Sequence, residues 1–185
     1  MISNPLLAIV LICVAWPAQY FGAGYIAHVM PLGLFARARA HSRAHRRTGT
    51  RTRRGTPPAA IGTRIPSSRS VRRRLRFYRN VLQITRWKPH LPEAGALFRG
   101  GFRKAELRSA DTAYLHRFAA ETRRAEFSHW LTILLTGHFF LWLDPSIALV
   151  MPPLALLGNL PCILVQRYNR LRLMTIMGLA ERRQG

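Results

Sequence analysis

The sequence has only two cysteines, Cys13 and Cys162, and very little negative charge. Both cysteines lie in apolar stretches, where a thiol packs as a small hydrophobe. The sequence contains neither Cys-x-x-Cys nor a Cys/His cluster with zinc spacing. Only 7 acidic residues accompany 29 basic ones, nearly all arginine, which gives a net charge of +22 over 185 residues. These scarcities exclude a disulfide-rich secreted domain and a zinc-finger-like site.

Charge is missing altogether from the first 36 residues, and residues 127–165 contain only Asp144. The mean hydropathy of zero is therefore the average of two segments that are apolar enough to cross a membrane and an Arg-rich segment between them. This distribution argues against a soluble globular domain and against a simple nucleic-acid-binding protein. Residues 5–27 exceed the ~20 residues that a spanning helix needs. The N-terminus has no basic residue, and the bulky Trp16 lies two residues before Ala18, which favours a retained helix, kinked near Pro17, over a signal peptide.

The second apolar stretch is too long for one helix, and it contains a natural break at Asp144. Residues 127–143 and 146–165 predict two further spans that form a hairpin. Three prolines in the second arm should distort it, because each proline removes a backbone donor.

Arginine and lysine set the expected orientation. Residues 28–126 hold 24 of the 29 cations, and residues 166–185 hold the other five. By the positive-inside rule the N-terminus lies outside and both basic segments are cytoplasmic. We predict an all-α, multi-pass protein of the cell membrane with three transmembrane helices and a cytoplasmic amphipathic layer.

Five segments are expected along the chain. They are an N-terminal helix over 1–35, an Arg-rich linker over 36–70, a cytoplasmic interfacial helical segment over 71–126, the hairpin over 127–165 and a basic cytoplasmic tail over 166–185. Residues 36–60 contain no Leu, Ile, Val or Phe, so we expect disorder there. Four interpretations of this stretch remain open. It is a linker that fixes the topology, a segment that binds anionic lipid headgroups, a segment that binds nucleic acid non-specifically, or the product of a reading-frame error in the coding sequence.

The interfacial segment contains apolar residues at helical spacing. They predict an amphipathic helix from residue 71 that ends near Trp87. A glycine-containing loop over 91–102 and a short helix over 104–107 should follow. Asp111 or Thr112 should then cap a helix that runs into the second span.

Candidate chemistry lies where that helix enters the bilayer, in the sequence ETRRAEFSHW over 121–130. Glu126 and His129 are i,i+3 neighbours on one face. A carboxylate that fixes one imidazole nitrogen leaves the other as a general base. The alternative is an interfacial histidine beside Trp130, with Glu126 paired to a nearby arginine. Metal binding through Glu-x-x-His needs carboxylates from other helices, so no metal is expected.

A second polar cluster follows the third span. Asn159 lies about 10 Å inside the cytoplasmic end of that span, where it either binds substrate or links helices. The sequence QRYNRLR over 166–172 then reaches the same interface as Glu126 and His129. His138 lies mid-span without an evident partner.

Three blocks of this sequence resemble the glycosyl-4,4'-diaponeurosporenoate acyltransferase family of staphyloxanthin-type carotenoid synthesis. They are RWK at 86–88, ETRRAE with HW over 121–130, and NLP with VQRYNR and RL over 159–173. Their order and approximate spacing agree over about residues 77–175. One departure is that GTRIP at 62–66, which matches a motif found just after the first span, lies some 35 residues beyond it. Residues 32–76 are therefore an insertion or a corrupted stretch.

The resemblance implies transfer of a fatty acyl chain to a sugar hydroxyl of a glycosylated carotenoid or similar glycolipid. We hypothesise that His129 is the base and that Glu126 orients it. The substrate-contact candidates are Asn159 and Gln166 for the carbonyl oxygen or sugar, Arg167 and Arg170 for donor phosphates, and Asn169, Arg124 and Trp87.

No cofactor is expected beyond an acyl-CoA or acyl-carrier co-substrate. The expected partners are membrane lipids, the acceptor, the acyl donor and other pathway enzymes, with no specific nucleic acid. The alternative function is a non-catalytic membrane protein whose basic layer binds anionic lipid or recruits a partner.

Overall fold

The computed structural model describes residues 2, 4–36, 68–91, 102, 107, 109 and 111–183. Within this part of the chain the protein is helical and contains no strand, which confirms the all-α class. Most of the predicted linker over 36–70, the glycine-containing loop and the short helix over 104–107 lie outside the described residues.

The first helix, α1, covers Pro5–Val29. Its start is set by Asn4, whose side-chain oxygen accepts hydrogen bonds from the backbone N–H groups of Leu6 and Leu7. The helix continues through Pro17, and a 3₁₀ turn over Leu32–Leu34 follows it. The outward face of α1 is a row of exposed apolar side chains, as a lipid-facing helix requires.

The predicted amphipathic helix exists but is broken. Helix α2 covers Ser68–Arg76, continues as a π-helical turn over Phe77–Val81, and stops where Gln83 adopts a left-handed backbone conformation with φ of 46°. A short helix α3, Ile84–Trp87, and a 3₁₀ turn over Lys88–His90 follow.

Hydrogen bonds hold this break in place. Arg86 Nη1 donates to Gln83 Oε1 at 2.9 Å, and Trp87 Nε1 donates to the Leu82 carbonyl at 2.8 Å. The apolar spacing that predicted one continuous helix contains no information about these side-chain contacts.

Helix α4 covers Thr112–Leu135 and continues as a 3₁₀ helix over Thr136–Leu141. Asp111 caps it, since its carboxylate accepts from the Tyr114 N–H at 3.1 Å, as the sequence predicts. The chain then turns at Asp144, the predicted break, and forms the short helix α5 over Pro145–Ala148.

The last helix, α6, is unbroken over Met151–Arg183. The predicted distortion does not interrupt it. Pro152 and Pro153 lie in the first turn, where backbone N–H groups have no helical partner to lose, and the helix continues through Pro161. Most of the predicted tail over 166–185 is the continuation of this helix.

Two stretches are long and apolar enough to cross a bilayer, Pro5–Val29 and Pro145–Leu179, with mean hydropathies of 1.9 and 2.0. They support association with a membrane. Helix α4 is not among them, because its first half carries charges such as Glu121 and Arg124 and its α-helical part ends at Leu135.

Helix α4 packs against both α1 and α6, while α2 packs on α6. Buried apolar clusters lie at both ends of this assembly. One contains Phe139, Leu143 and Met151, and the other contains Leu115, Phe118 and Leu173. Between these clusters, α1, α4 and α6 bring polar side chains together.

Candidate active site

His129 is held across the helix interface by Asn159. Its Nδ1 lies 2.8 Å from Asn159 Oδ1, and the asparagine side chain is almost completely buried, with the residue 1% exposed. Asn159 Nδ2 donates one hydrogen to the Ala155 carbonyl at 2.8 Å and the other to the Tyr20 hydroxyl at 2.7 Å. Three helices therefore meet at one asparagine.

These contacts determine the imidazole tautomer. The Ala155 carbonyl can only accept, so the amide nitrogen of Asn159 must face it and the amide oxygen must face His129. His129 Nδ1 is then the donor, and the lone pair of the neutral ring is on Nε2. A general base needs such a tautomer, with one ring nitrogen fixed and the other carrying a lone pair. The group that fixes Nδ1 is the amide of Asn159, whereas the sequence suggested the carboxylate of Glu126.

Glu126, one turn earlier on α4, forms an ion-pair cluster with α6. Its carboxylate accepts from Arg167 Nε at 2.7 Å and from Arg170 Nη2. Burial on its own would raise the pKa of the Glu126 carboxyl, but the hydrogen bonds and positive charges of the two arginines outweigh it, so the pKa lies below its ordinary value. The pairing of Glu126 with arginine was the alternative that the sequence left open.

Arg124 ties α4 to the segment that follows α1. It contacts Glu121 at 3.4 Å, donates to the Met30 carbonyl at 3.2 Å, and lies 6.0 Å from the Phe35 ring centroid. Its Nε is buried without a hydrogen-bond partner among the described residues, so this predicted substrate contact has one donor left.

Trp87 on α3 and Asn169 on α6 lie away from the His129 contact. Trp87 packs beside Ile84 and Tyr168, and Lys88 Nζ donates to Asn169 Oδ1 at 2.9 Å. Asn169 follows Asn159 by ten residues, which is about 15 Å along a helix. These two candidates therefore hold the α2–α3 segment against α6 and lie away from His129.

Gln166 retains an unused acceptor. Its Oε1 is buried and has no hydrogen-bond donor among the described residues. An amide oxygen accepts only from a donor such as a hydroxyl. This arrangement favours a sugar hydroxyl over a carbonyl oxygen as the Gln166 ligand.

The sequence analysis missed the contribution of α1. Tyr20 contacts Asn159, and Gln19 Nε2 donates to the Thr132 carbonyl at 2.6 Å. Gln19 satisfies an acceptor that is freed where α4 tightens into its 3₁₀ end, since the Thr136 N–H bonds to the Ile133 carbonyl instead. The available signal was the adjacent polar pair in an otherwise apolar span.

The other predicted groups add little to this site. His138 Nδ1 lies 2.6 Å from the Leu135 carbonyl of its own helix, and its ring packs on Phe139 with centroids 4.2 Å apart. Among the described residues, no group of three His, Cys, Asp or Glu side chains is placed to hold a metal ion.

A family model for glycosyl-4,4'-diaponeurosporenoate acyltransferase matches residues 63–179. A protein of that name from Staphylococcus aureus strain N315 is 27% identical over 136 residues, covering 68% of this chain and 82% of the relative. The proteins of that name from strains USA300 and COL are 28% identical over 137 residues with the same coverage. No solved structure matches the chain.

Proposed function

Because the chain belongs to the glycosyl-4,4'-diaponeurosporenoate acyltransferase family, it is an acyltransferase of carotenoid biosynthesis, and we propose that it moves a fatty acyl chain onto a sugar hydroxyl of a glycosylated carotenoid or similar glycolipid. The observation that carries this proposal is the His129–Asn159 contact of 2.8 Å. With Nδ1 bound to Asn159, the lone pair of the neutral ring is on Nε2, the nitrogen that would act as the base.

In the proposed reaction, His129 Nε2 removes the proton from the sugar hydroxyl as its oxygen attacks the carbonyl carbon of an acyl thioester. The new C–O bond forms, the carbonyl becomes a tetrahedral oxyanion, and the C–S bond then breaks. The proton on His129 moves to the departing thiolate, so base and substrate charges balance. Either acyl-CoA or an acyl-carrier protein supplies this thioester. No covalent acyl-enzyme is required.

The remaining candidates take binding roles in this proposal. Gln166 accepts a hydrogen bond from the sugar through its unpartnered Oε1. Arg167, whose side chain is 46% exposed, binds phosphate groups of the donor, while Arg170 and Glu126 fix its position. Arg124, Trp87 and Asn169 shape the surrounding layer rather than contact the reacting atoms.

We further propose the three-span topology with the N-terminus outside and the basic segments cytoplasmic. Residues 127–135 rise about 13 Å as an α-helix and the six residues Thr136–Leu141 about 12 Å as a 3₁₀ helix. Their sum of about 25 Å approaches the ~30 Å hydrocarbon core. Because a 3₁₀ helix rises further per residue than an α-helix, residues 127–141 can nearly cross the hydrocarbon core. In this topology the acyl donor reaches the site from the cytosol.

The test is His129→Ala in a host that makes the glycosylated carotenoid but lacks its own acyltransferase. We expect the acylated pigment to vanish from mass spectra, a loss of at least about a hundredfold as for other general bases, while the protein remains inserted and abundant. His116→Ala is the matched control, because His116 is exposed on the same helix. Full acylation by the His129 variant would refute the assignment of the base.

A further inference from the structure

We propose that Tyr20 is a positioning residue of the acyl-transfer site, so that α1 is part of the catalytic assembly as well as a membrane segment. This inference rests on the proposed role of His129 as the base. Tyr20 does not touch that ring directly. It acts through Asn159, whose Nδ2 donates to the Tyr20 hydroxyl at 2.7 Å.

The amide of Asn159 is fully used. Its two hydrogens have two acceptors, the Ala155 carbonyl and the Tyr20 hydroxyl, and its oxygen accepts the N–H of His129. Without the hydroxyl, one N–H of a residue that is 1% exposed would lose its partner in apolar surroundings. Such an orphaned donor costs more than a typical hydrogen bond contributes. The amide would then reorient, and the imidazole would lose its fixed tautomer.

The neighbouring residues are arranged for this contact. Gln19, next to Tyr20, fixes the register of α1 on α4 through the Thr132 carbonyl at 2.6 Å. On α6, Gly158 lies next to the tyrosine, since a Cβ there would be in van der Waals contact with the hydroxyl oxygen at 3.4 Å. Gly158 and the Asn159 amide therefore both lie at the Tyr20 hydroxyl, while the Gln19 bond holds the helix that carries it.

Tyr20 also lies outside the residues that the family model matches, which begin at residue 63. The assignment therefore depends on the contacts of this chain alone. It predicts that the segment before the matched region contributes to turnover as well as to insertion.

The first experiment compares Tyr20→Phe with Tyr25→Phe in membranes supplied with a long-chain acyl-CoA and the glycosylated carotenoid. We expect kcat to fall roughly tenfold or more for Tyr20→Phe, the size expected from one orphaned donor near the base, with KM changed less than about twofold. Tyr25, on the same helix and 58% exposed, should give wild-type rates. An unchanged kcat for Tyr20→Phe would overturn the proposal.

A double-mutant cycle separates positioning from a general structural effect. In an Asn159→Leu background the tyrosine hydroxyl has no amide left to hold, so Tyr20→Phe should cause no further loss of kcat. Losses that multiply independently in the double variant would contradict the coupling.

His129→Ala tests the underlying function separately. If that variant retains activity, the assignment of the base fails. An inactive His129→Ala together with a fully active Tyr20→Phe refutes only the role of Tyr20.

Discussion

Two polar layers lie next to each other in this protein, and they are built from different chemistry. The inner layer consists of Tyr20, Asn159 and His129, joined by hydrogen bonds of 2.7 and 2.8 Å. The outer layer consists of Glu126, Arg167 and Arg170, joined by ion pairs. Each layer links α4 to α6, and only the inner layer also reaches α1.

The difference follows from the cost of charge in apolar surroundings. An ionised side chain deep in a bilayer costs several kcal/mol, whereas an amide, a phenol and a neutral imidazole can satisfy one another. Charged pairs belong nearer the interface, where water and lipid headgroups remain accessible. We therefore expect the inner layer to control the rate of acyl transfer, and the outer layer to contribute to stability and, through Arg167, to donor binding.

The largest effect on stability should come from Glu126→Gln. The variant leaves two arginines near each other without their shared carboxylate, and we expect a loss of about 1–3 kcal/mol because Arg167 is half exposed. Thermal unfolding in detergent measures it. Glu121→Gln, which removes one ion pair in which both oxygens lie 3.4 Å from Arg124 Nη1, should lose less. Equal losses in the two variants would show that the Glu126 cluster stabilises the protein no more than one ordinary ion pair does.

A smaller effect should appear with pH. The pKa of Glu126 is depressed in the folded protein by Arg167 and Arg170, so its contribution to stability is complete above the ordinary glutamate pKa of about 4.3. The contribution is lost as pH falls through the lower, folded value. Melting temperatures recorded from pH 7 down to pH 3 should therefore drop below about pH 4.3, and the drop should be shallower in Glu126→Gln.

The smallest effect should come from Gly158→Ala. Alanine favours the helix by up to about 1 kcal/mol, and its methyl group would touch the Tyr20 hydroxyl at a van der Waals distance of 3.4 Å. We expect unchanged or slightly higher thermal stability with acyl transfer reduced about two- to fivefold at most, because the methyl group restricts the movement of the Tyr20 hydroxyl. Gly178→Ala, on the same helix with nothing within 4 Å, should gain stability without loss of rate. A fully active Gly158→Ala would weaken the separation between the two layers.

The features that depend on composition and local spacing could be predicted from sequence. The apolar helices, the Asp111 cap and the turn at Asp144 follow from hydrophobic runs and short-range capping signals. The convergence of residues 121–130 with 159–170 followed from the predicted hairpin, and the contacts of Glu126 and His129 with α6 agree with it.

Long-range pairings could not be predicted in this way. The break at Gln83 depends on side-chain contacts of Arg86 and Trp87, which hydrophobic spacing does not encode. Sequence alone places Tyr20 only within the apolar stretch over residues 5–27, because its partner lies 139 residues away in the sequence. Hydrophobic periodicity indicates on which face of its own helix a residue lies, but it does not identify the helix that packs against that face.

The distances along the chain between Gln19, Tyr20 and their partners have a consequence for biogenesis. Gln19 meets Thr132 after 113 residues, and Tyr20 meets Asn159 after 139 residues. At a synthesis rate of about 5–20 residues per second, Gln19 waits roughly 6–23 seconds and Tyr20 roughly 7–28 seconds before their partners are made. During that interval the newly made helix must keep an amide and a phenol in contact with water, the insertion machinery or another polar group, and assembly is complete only when the C-terminal helix arrives.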